Sequence, residues 1–172
     1  VSKTGDWLQD KLGSIPSVGL ILGSGLGILA EDATDTTSIP YGEIPGFPES
    51  DVEGHAGQLV RGYIEGTDVL MMQGRVHYYE GWSMKELTFP VRAMGMAGVE
   101  SLLVTNSAGG INAEFNVGDL MIIQDHINQM GDNPLRGKND ERLGPRFPDM
   151  TDAYSDDMIG IIRASGEKLG ID

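Results

Sequence analysis

The stretch Val18-Gly19-Leu20-Ile21-Leu22-Gly23-Ser24-Gly25-Leu26-Gly27 joins a short apolar run to a loop of glycine and serine. The run from Val18 to Leu22 is bounded by turn residues, which is typical of a buried β-strand. Glycines in the following loop let successive backbone N–H groups point into one concavity, and Ser24 adds a hydroxyl donor. The stretch therefore predicts a strand that ends either in an anion-binding loop or in a plain tight turn.

Two more apolar runs stop at loops of polar or small residues. The run Val69 to Met72 is followed by Gln73-Gly74-Arg75-Val76-His77, and the run Leu102 to Val104 is followed by Thr105-Asn106-Ser107-Ala108-Gly109-Gly110. In an open α/β sheet, ligands bind where the strands end. Three such loops at one edge of a sheet predict one pocket for phosphate and for whatever phosphate reacts with.

In the loop after the second run, side chains with functional groups occupy every second position. Arg75 and His77 are two residues apart, so both leave the same face of an extended segment, and Tyr79 joins them if the extension persists. Arginine matches phosphate oxygens with a planar fork, and histidine can donate to the same anion or pass a proton. Glu80 is close enough in sequence to orient the imidazole. A surface arginine beside a hydrogen-bonded histidine is the alternative interpretation.

Composition and charge exclude several classes of protein. The chain has 172 residues, 40% of them hydrophobic, which fits one globular domain. A net charge of −14 argues against a nucleic-acid partner, because binding to nucleic acid needs a basic face. No stretch reaches the roughly 18 apolar residues that span a bilayer, and the N-terminus lacks a secretory signal pattern. We therefore expect no membrane partner and a cytoplasmic location.

Cysteine and histidine usage limits the possible chemistry. The absence of cysteine excludes disulfides, thiolate zinc sites and a cysteine nucleophile. The three histidines, His55, His77 and His126, are far apart and lack metal-ligand spacing, so we expect no metal site.

The rest of the chain predicts an α/β fold with a mixed central sheet and flanking helices. Strands Gln58 to Ile64 and Thr67 to Met72 form a hairpin at Glu65-Gly66, which adds antiparallel pairing to the sheet. The other predicted elements are a helix within 1–15 that ends near Gly13, irregular structure over 31–54, a strand over 117–124, irregular structure over 129–152, and a helix capped by Ser155 with Gly170 at its end. A helix over 84–97 is capped by Ser83, and Pro90 predicts either a kink there or a start delayed to Thr88.

Several motifs occur in an order that resembles the trimeric purine nucleoside phosphorylases. They are GSGLG at 23–27, GHAGQLV at 54–60, MMQGRVHYYEG at 71–81, FPVR at 89–92, VTNSAGGIN at 104–112, VGDLMIIQDHIN at 117–128, and NPLRG, NDER, RFPDM and DAY between 133 and 154. The resemblance implies a nucleoside phosphorylase-like fold and phosphorolysis of purine ribonucleosides of the inosine and guanosine type to free base and ribose 1-phosphate. It further implies a homotrimer, and a reaction in which phosphate is a substrate and no cofactor is needed.

The resemblance also assigns site residues. Phosphate would be bound by Ser24, His55, Arg75, His77 and the backbone N–H of Ser107, where the related pattern usually has alanine. The nucleoside would contact Tyr79, Asn106 and, across a subunit interface, Phe147.

The resemblance places the remaining functional residues beyond Asp172. Four of the family's functional residues would lie in sequence after Asp172. They are the purine-recognising glutamate and asparagine, a further phosphate-binding serine and a late histidine. We therefore expect residues 1–172 to be a single α/β domain that is incomplete at its C-terminal end and inactive alone. The residues that activate the leaving base, and the preference among hypoxanthine, guanine and xanthine, stay open.

Two other functions fit the sequence. A nucleoside hydrolase-like enzyme on a similar fold would use water in place of phosphate and would cleave inosine without added phosphate. A non-catalytic module that binds phosphate or nucleoside is the second alternative.

Overall fold

The computed structural model describes residues 1–49 and 56–171. Contacts divide the chain into two compact units, Val1–Ser107 and Ala108–Asp172. That residues 1–172 form a single domain stays a prediction.

The first unit is built on a sheet of five strands: β1 Val18–Leu22, β2 Thr34–Pro40, β3 Gln58–Ile64, β4 Thr67–Gln73 and β5 Ser101–Val104. The order across the sheet is β2-β3-β4-β1-β5. Strand β1 lies between β4 and β5 and is parallel to both, whereas β3 is antiparallel to β2 and to β4. The sheet is therefore mixed, as predicted.

The predicted hairpin is present, and one strand was not predicted. Ile64 of β3 pairs with Thr67 of β4 around the turn at Glu65-Gly66. Strand β2 falls in the segment 31–54, for which irregular structure was predicted, so that prediction is wrong for Thr34–Pro40. Only Ile39 of β2 is buried, because β2 is an edge strand; its polar sequence carries no alternation that would indicate a strand.

Four α-helices lie in the described residues of the first unit: α1 Ser2–Leu12, α2 Ile28–Glu31, α3 Met84–Leu87 and α4 Phe89–Ala97. The short helix α2 was not predicted. Ser83 and Glu86 form a reciprocal capping box at the start of α3, as predicted. The predicted helix 84–97 is divided at Thr88, which places Pro90 in the first turn of α4, where a missing N–H is tolerated.

Apolar side chains from alternate positions of β4 fill two cores. Leu70 and Met72 pack with residues of α1 and α4 in one cluster, and Val69 and Met71 lie in another. Leu70 and Met71 are both 0% exposed, since β4 lies inside the sheet. Burial on both faces fixes the register of β4, because a shift by one residue would exchange the two sets.

The second unit contains helix α5, Asp156–Leu169, which is capped by Ser155 and by Gly170 as predicted. Turns, bends and irregular segments make up the rest of its described residues. The predicted buried strand over 117–124 is wrong: no ladder pairing includes these residues in the described part of the chain, and Val117 is fully exposed. The Asp119 side chain instead accepts from the backbone N–H of Asn116 and stabilises a turn there. No helix in residues 1–49 and 56–171 has the length and apolar character needed to cross a membrane.

Candidate functional site

The carboxyl ends of three parallel strands lie side by side in the first unit. Leu22 at the end of β1 is in register with Gln73 at the end of β4, and Ile21 is in register with Val104 at the end of β5. The three loops identified in the sequence therefore start from the same edge of the sheet. This arrangement confirms that the three loops begin at one edge of the sheet.

Thr105 joins the loop after β1 to the end of β5. The backbone N–H of Gly23 donates to Thr105 Oγ1 over 2.8 Å, and that hydroxyl donates to the carbonyl oxygen of Ile21 over 3.0 Å. The approach is so close that a Cβ on Gly23 would lie 2.6 Å from the Thr105 carbonyl oxygen. Glycine at 23 is thus needed for contact between the two strand ends.

Arg75 connects the end of β4 to the same residue. Its guanidinium Nη1 donates to the carbonyl oxygen of Thr105 over 2.6 Å. The arginine is half-buried and lines a cleft of about 60 Å³ together with Tyr41, Val76 and other, mainly apolar, side chains. The guanidinium is therefore held at the strand ends by a contact that crosses β1.

His77 is oriented by Glu80, as the sequence predicts. Oε1 of Glu80 lies 2.9 Å from His77 Nδ1 and accepts from the backbone N–H of His77 over 2.6 Å. A carboxylate beside Nδ1 favours a proton on that nitrogen and fixes the plane of the ring.

Tyr79 does not continue the extended segment. The backbone is extended at His77 and then turns through the 3-10 helix Tyr78–Glu80, so the predicted alternation ends at His77. The Tyr79 ring nevertheless stacks on the imidazole, with ring centroids 4.9 Å apart and planes 16° apart. Its side chain is 74% exposed, which leaves an aromatic surface open beside the histidine.

Gln73 is a site residue that sequence reasoning missed. It is 7% exposed, its Nε2 donates to the carbonyl oxygen of Gly27 over 3.0 Å, and its Oε1 accepts from Gln58 Nε2 over 2.7 Å. The glycine loop is thereby fixed to β4 and β3. A polar residue at the end of an otherwise apolar strand, directly before Gly74-Arg75, was the available signal.

Tyr41 was also missed, since it lies in a segment for which irregular structure was predicted. Its hydroxyl donates to the carbonyl oxygen of Gly74 over 2.7 Å, and its backbone N–H donates to the carbonyl oxygen of Gly57 over 2.8 Å. Burial raises the pKa of the Tyr41 hydroxyl far above its ordinary value.

The other predicted site residues have varied positions. Ser24 is exposed on the loop that Gly23 attaches to Thr105. Asn106 and Ser107 are exposed and directly follow Thr105, with the Asn106 amide donating to the Ser107 carbonyl oxygen over 3.1 Å. Phe147 lies in the second unit, 84% exposed, and His55 lies outside the described residues. Binding roles for all of them stay predictions.

Acidic and histidine side chains do not form a metal site in the part of the chain that the structure describes. No three of them lie close enough together there to hold an ion.

Comparison with known proteins gives consistent matches along the chain. The sequence profile of the Phosphorylase superfamily matches residues 17–172. The purine nucleoside phosphorylase 1 of Geobacillus stearothermophilus is 54% identical over 171 residues, which are 99% of this chain and 62% of that relative. The chain thus spans only about six tenths of the relative's length.

Two solved structures of Schistosoma mansoni purine nucleoside phosphorylase are similar in fold. Isoform 2, in complex with cytosine and ribose-1-phosphate, superposes with a TM-score of 0.91 at 40% identity, covering 99% of this chain and 61% of that one. The enzyme in complex with inosine also superposes with a TM-score of 0.91 at 40% identity, over 98% of this chain and 60% of that one.

Proposed function

Since the chain belongs to the phosphorylase superfamily, we propose that it forms the phosphate-binding part of an enzyme that cleaves purine ribonucleosides with phosphate. The products are the free base and ribose 1-phosphate, and the substrates are of the inosine and guanosine type. The contact of Arg75 with Thr105 at the shared strand ends carries this proposal. The complexes of the Schistosoma enzymes with ribose-1-phosphate and with inosine support the choice of substrate.

Phosphate would bind at the edge where β1, β4 and β5 end. The proposed donors are Ser24, His55, Arg75, His77 and the backbone N–H of Ser107. All of them precede Ala108, so they belong to the first unit or, for His55, to the chain segment within its bounds. A guanidinium offers a planar pair of donors, and hydroxyl and N–H groups add shorter-range selectivity.

The acidic character of the chain does not prevent this binding. Exposed charges beyond a Debye length of about 8 Å are largely screened. A cation about 4 Å from phosphate contributes about 4 kcal/mol at an effective dielectric constant of 20. The position of Arg75 therefore affects the binding of phosphate more than the net charge of −14 does.

The chemistry requires little covalent participation by the protein. One phosphate oxygen forms a bond to the anomeric carbon of the ribose, while the bond from that carbon to the purine nitrogen breaks and its electron pair leaves with the base. Positive charge develops on the sugar in the transition state, and the phosphate held beneath it stabilises that charge. Holding the two reactants together supplies much of the rate enhancement.

The nucleoside would lie against residues on the solvent side of the phosphate. Tyr79 presents an exposed ring next to His77, Asn106 follows the end of β5, and Phe147 would come from a neighbouring subunit of a homotrimer. The reaction uses phosphate as a substrate and needs no cofactor. The trimer and the cytoplasmic location remain predictions.

The test is cleavage of inosine by the natural protein that carries this sequence. We expect release of hypoxanthine to require phosphate and to be accompanied by an equal amount of ribose 1-phosphate. Release of hypoxanthine and free ribose without phosphate would indicate a hydrolase. Phosphate binding with no cleavage of any purine nucleoside would indicate a binding protein.

A further inference from the structure

Tyr41 lines the cleft beside Arg75. It begins the 3-10 helix Tyr41–Glu43 directly after β2, and it is only 3% exposed. Its ring packs against Phe47, with ring centroids 5.5 Å apart. A buried tyrosine needs a partner for its hydroxyl, and the identity of that partner decides what the residue can do.

The partner is the peptide group that precedes Arg75. The Tyr41 hydroxyl donates to the carbonyl oxygen of Gly74 over 2.7 Å in a buried environment. Gly74 has a positive φ of 91°, a conformation that side chains disfavour. The hydrogen bond therefore holds a turn whose geometry sets the direction in which the Arg75 side chain leaves the backbone.

Arg75 is then fixed at both ends. Its backbone follows the peptide that Tyr41 holds, and its guanidinium donates to the Thr105 carbonyl oxygen over 2.6 Å. The Tyr41 backbone N–H in turn donates to the carbonyl oxygen of Gly57, which fixes Tyr41 itself. Preorganised donors bind an anion more tightly than donors that must be ordered on binding.

We propose that Tyr41 is a positioning residue for phosphate, acting through the Gly74 carbonyl on Arg75, an inference that rests on the proposed function. The hydroxyl serves as the hydrogen-bond donor to that carbonyl. Loss of this donor weakens phosphate binding, while the nucleoside-binding surface at Tyr79 is left in place.

The experiment compares Tyr41→Phe with a matched control in the natural protein. Thr4 is also a buried hydroxyl, 3% exposed, that donates to a backbone carbonyl, that of Pro45, over 2.9 Å. Thr4→Val therefore removes the same kind of bond away from the strand ends. Phosphate KM is measured at saturating inosine, inosine KM at saturating phosphate, and stability by urea unfolding.

We expect Tyr41→Phe to raise the phosphate KM by about five- to tenfold, the effect of losing one buried hydrogen bond. The inosine KM stays unchanged, and Thr4→Val lowers stability without changing either KM. Because KM does not depend on the amount of folded enzyme, a variant that folds in part still reports it. Replacement of Tyr41 by 4-aminophenylalanine, whose N–H can donate instead, restores the phosphate KM.

Two outcomes would overturn the inference, and they are distinct. If the wild-type enzyme requires phosphate but Tyr41→Phe leaves the phosphate KM unchanged, Tyr41 has only a structural role. A wild-type protein that cleaves inosine without phosphate, or not at all, would overturn the proposed function and this inference with it.

Discussion

The guanidinium of Arg75 and the carbonyl oxygen of Thr105 are 2.6 Å apart, although the two residues follow strands that are separated in the sheet by β1. An arginine has five N–H donors in a rigid fork. One bond to a fixed carbonyl orients the fork and leaves further donors for the oxygens of an anion. The relationship thus places a cation at the edge where the three parallel strands end.

Replacing Arg75 tests the role of this cation. We expect Arg75→Ala to raise the phosphate KM of the natural enzyme by about 10- to 100-fold, since hydrogen bonds between charged groups contribute about 1.5–3 kcal/mol each. Arg75→Lys should be intermediate, because an ammonium keeps the charge but loses the planar fork. Initial rates at varied phosphate and saturating inosine measure both.

Arg61 provides the control for that measurement. Its Nη1 also donates to a backbone carbonyl, that of Leu12, over 2.6 Å, and it pairs with Asp68 at the start of β4, at the opposite edge of the sheet. Arg61→Ala should lower stability and leave the phosphate KM unchanged. An unchanged KM in Arg75→Ala would remove Arg75 from the site.

Gln73 should matter for stability and for the glycine loop. Gln73→Leu keeps apolar packing but leaves the Gly27 carbonyl and the Gln58 amide without this partner. We expect the free energy of unfolding to fall by about 1–3 kcal/mol, and phosphate binding to weaken as the loop carrying Ser24 loosens. Urea unfolding and phosphate titration of the variant measure the two effects.

An exposed glutamine serves as the comparison for Gln73. Gln9 donates from Nε2 to the Ala97 carbonyl oxygen over 2.7 Å, but its side chain is exposed, so water can replace the bond. Gln9→Leu should change stability by less than about 0.5 kcal/mol. Equal losses of unfolding free energy in both variants would mean that burial of Gln73 adds nothing to stability.

Much of the fold could be predicted because local signals and the sheet pattern agree. Strand β1 was predicted with its bounds, and the Ser83 and Ser155 caps mark helix starts that the structure contains. Strand β2 was missed because an exposed edge strand needs no apolar alternation. The apolar run 117–124 indicated a strand that is not formed, since a strand depends on a partner that sequence periodicity cannot supply.

The candidate site could be predicted in part. Three loops with donors at strand ends were enough to place Arg75 and His77 on one edge, because parallel strands end together. The roles of Thr105 and Gln73, which lie in those loops, and of Tyr41, which does not, could not be predicted that way. Each acts through a hydrogen bond to a backbone carbonyl distant in sequence, and such contacts exist only after the sheet has formed.

The capping box of α3 predicts a pH dependence. Two hydrogen bonds from Ser83 lower the pKa of Glu86 below its ordinary value of 4.5. The bond from the Ser83 hydroxyl has the larger effect, and the bond from its backbone N–H has the smaller one. A lowered pKa in the folded state means that the stabilisation is present above that ordinary value and is lost as the pH falls through the lowered pKa. Ser83→Ala should raise the Glu86 pKa toward 4.5 and remove this pH-dependent stabilisation.

Carboxyl chemical shifts followed by NMR during an acid titration measure the pKa of Glu86 directly. Ser83→Thr keeps a hydroxyl at the helix start and should retain the lowered pKa. If Ser83→Ala left the Glu86 titration unchanged, the lowered pKa would have to arise from another interaction.

Gly23 should not tolerate even a methyl group. A Cβ there would lie 2.6 Å from the Thr105 carbonyl oxygen and 3.0 Å from the Asn106 Cα. Both are backbone atoms, so no side-chain rotation relieves the overlap. We expect Gly23→Ala to destabilise the protein by about 1–3 kcal/mol and to weaken phosphate binding, because the ends of β1 and β5 must separate.

Gly95 allows the same substitution to be made without the overlap. It lies in α4, and an added Cβ would meet no heavy atom within 4 Å other than its chain neighbours and the helix's own nearby backbone. Gly95→Ala should therefore stabilise the protein by about 0.5–1 kcal/mol through helix propensity. Urea unfolding of both variants gives the comparison, with phosphate binding followed in parallel. A Gly23→Ala variant as stable as wild type would show that the strand ends can move apart freely, and the close contact of Gly23 with Thr105 would then not define the site.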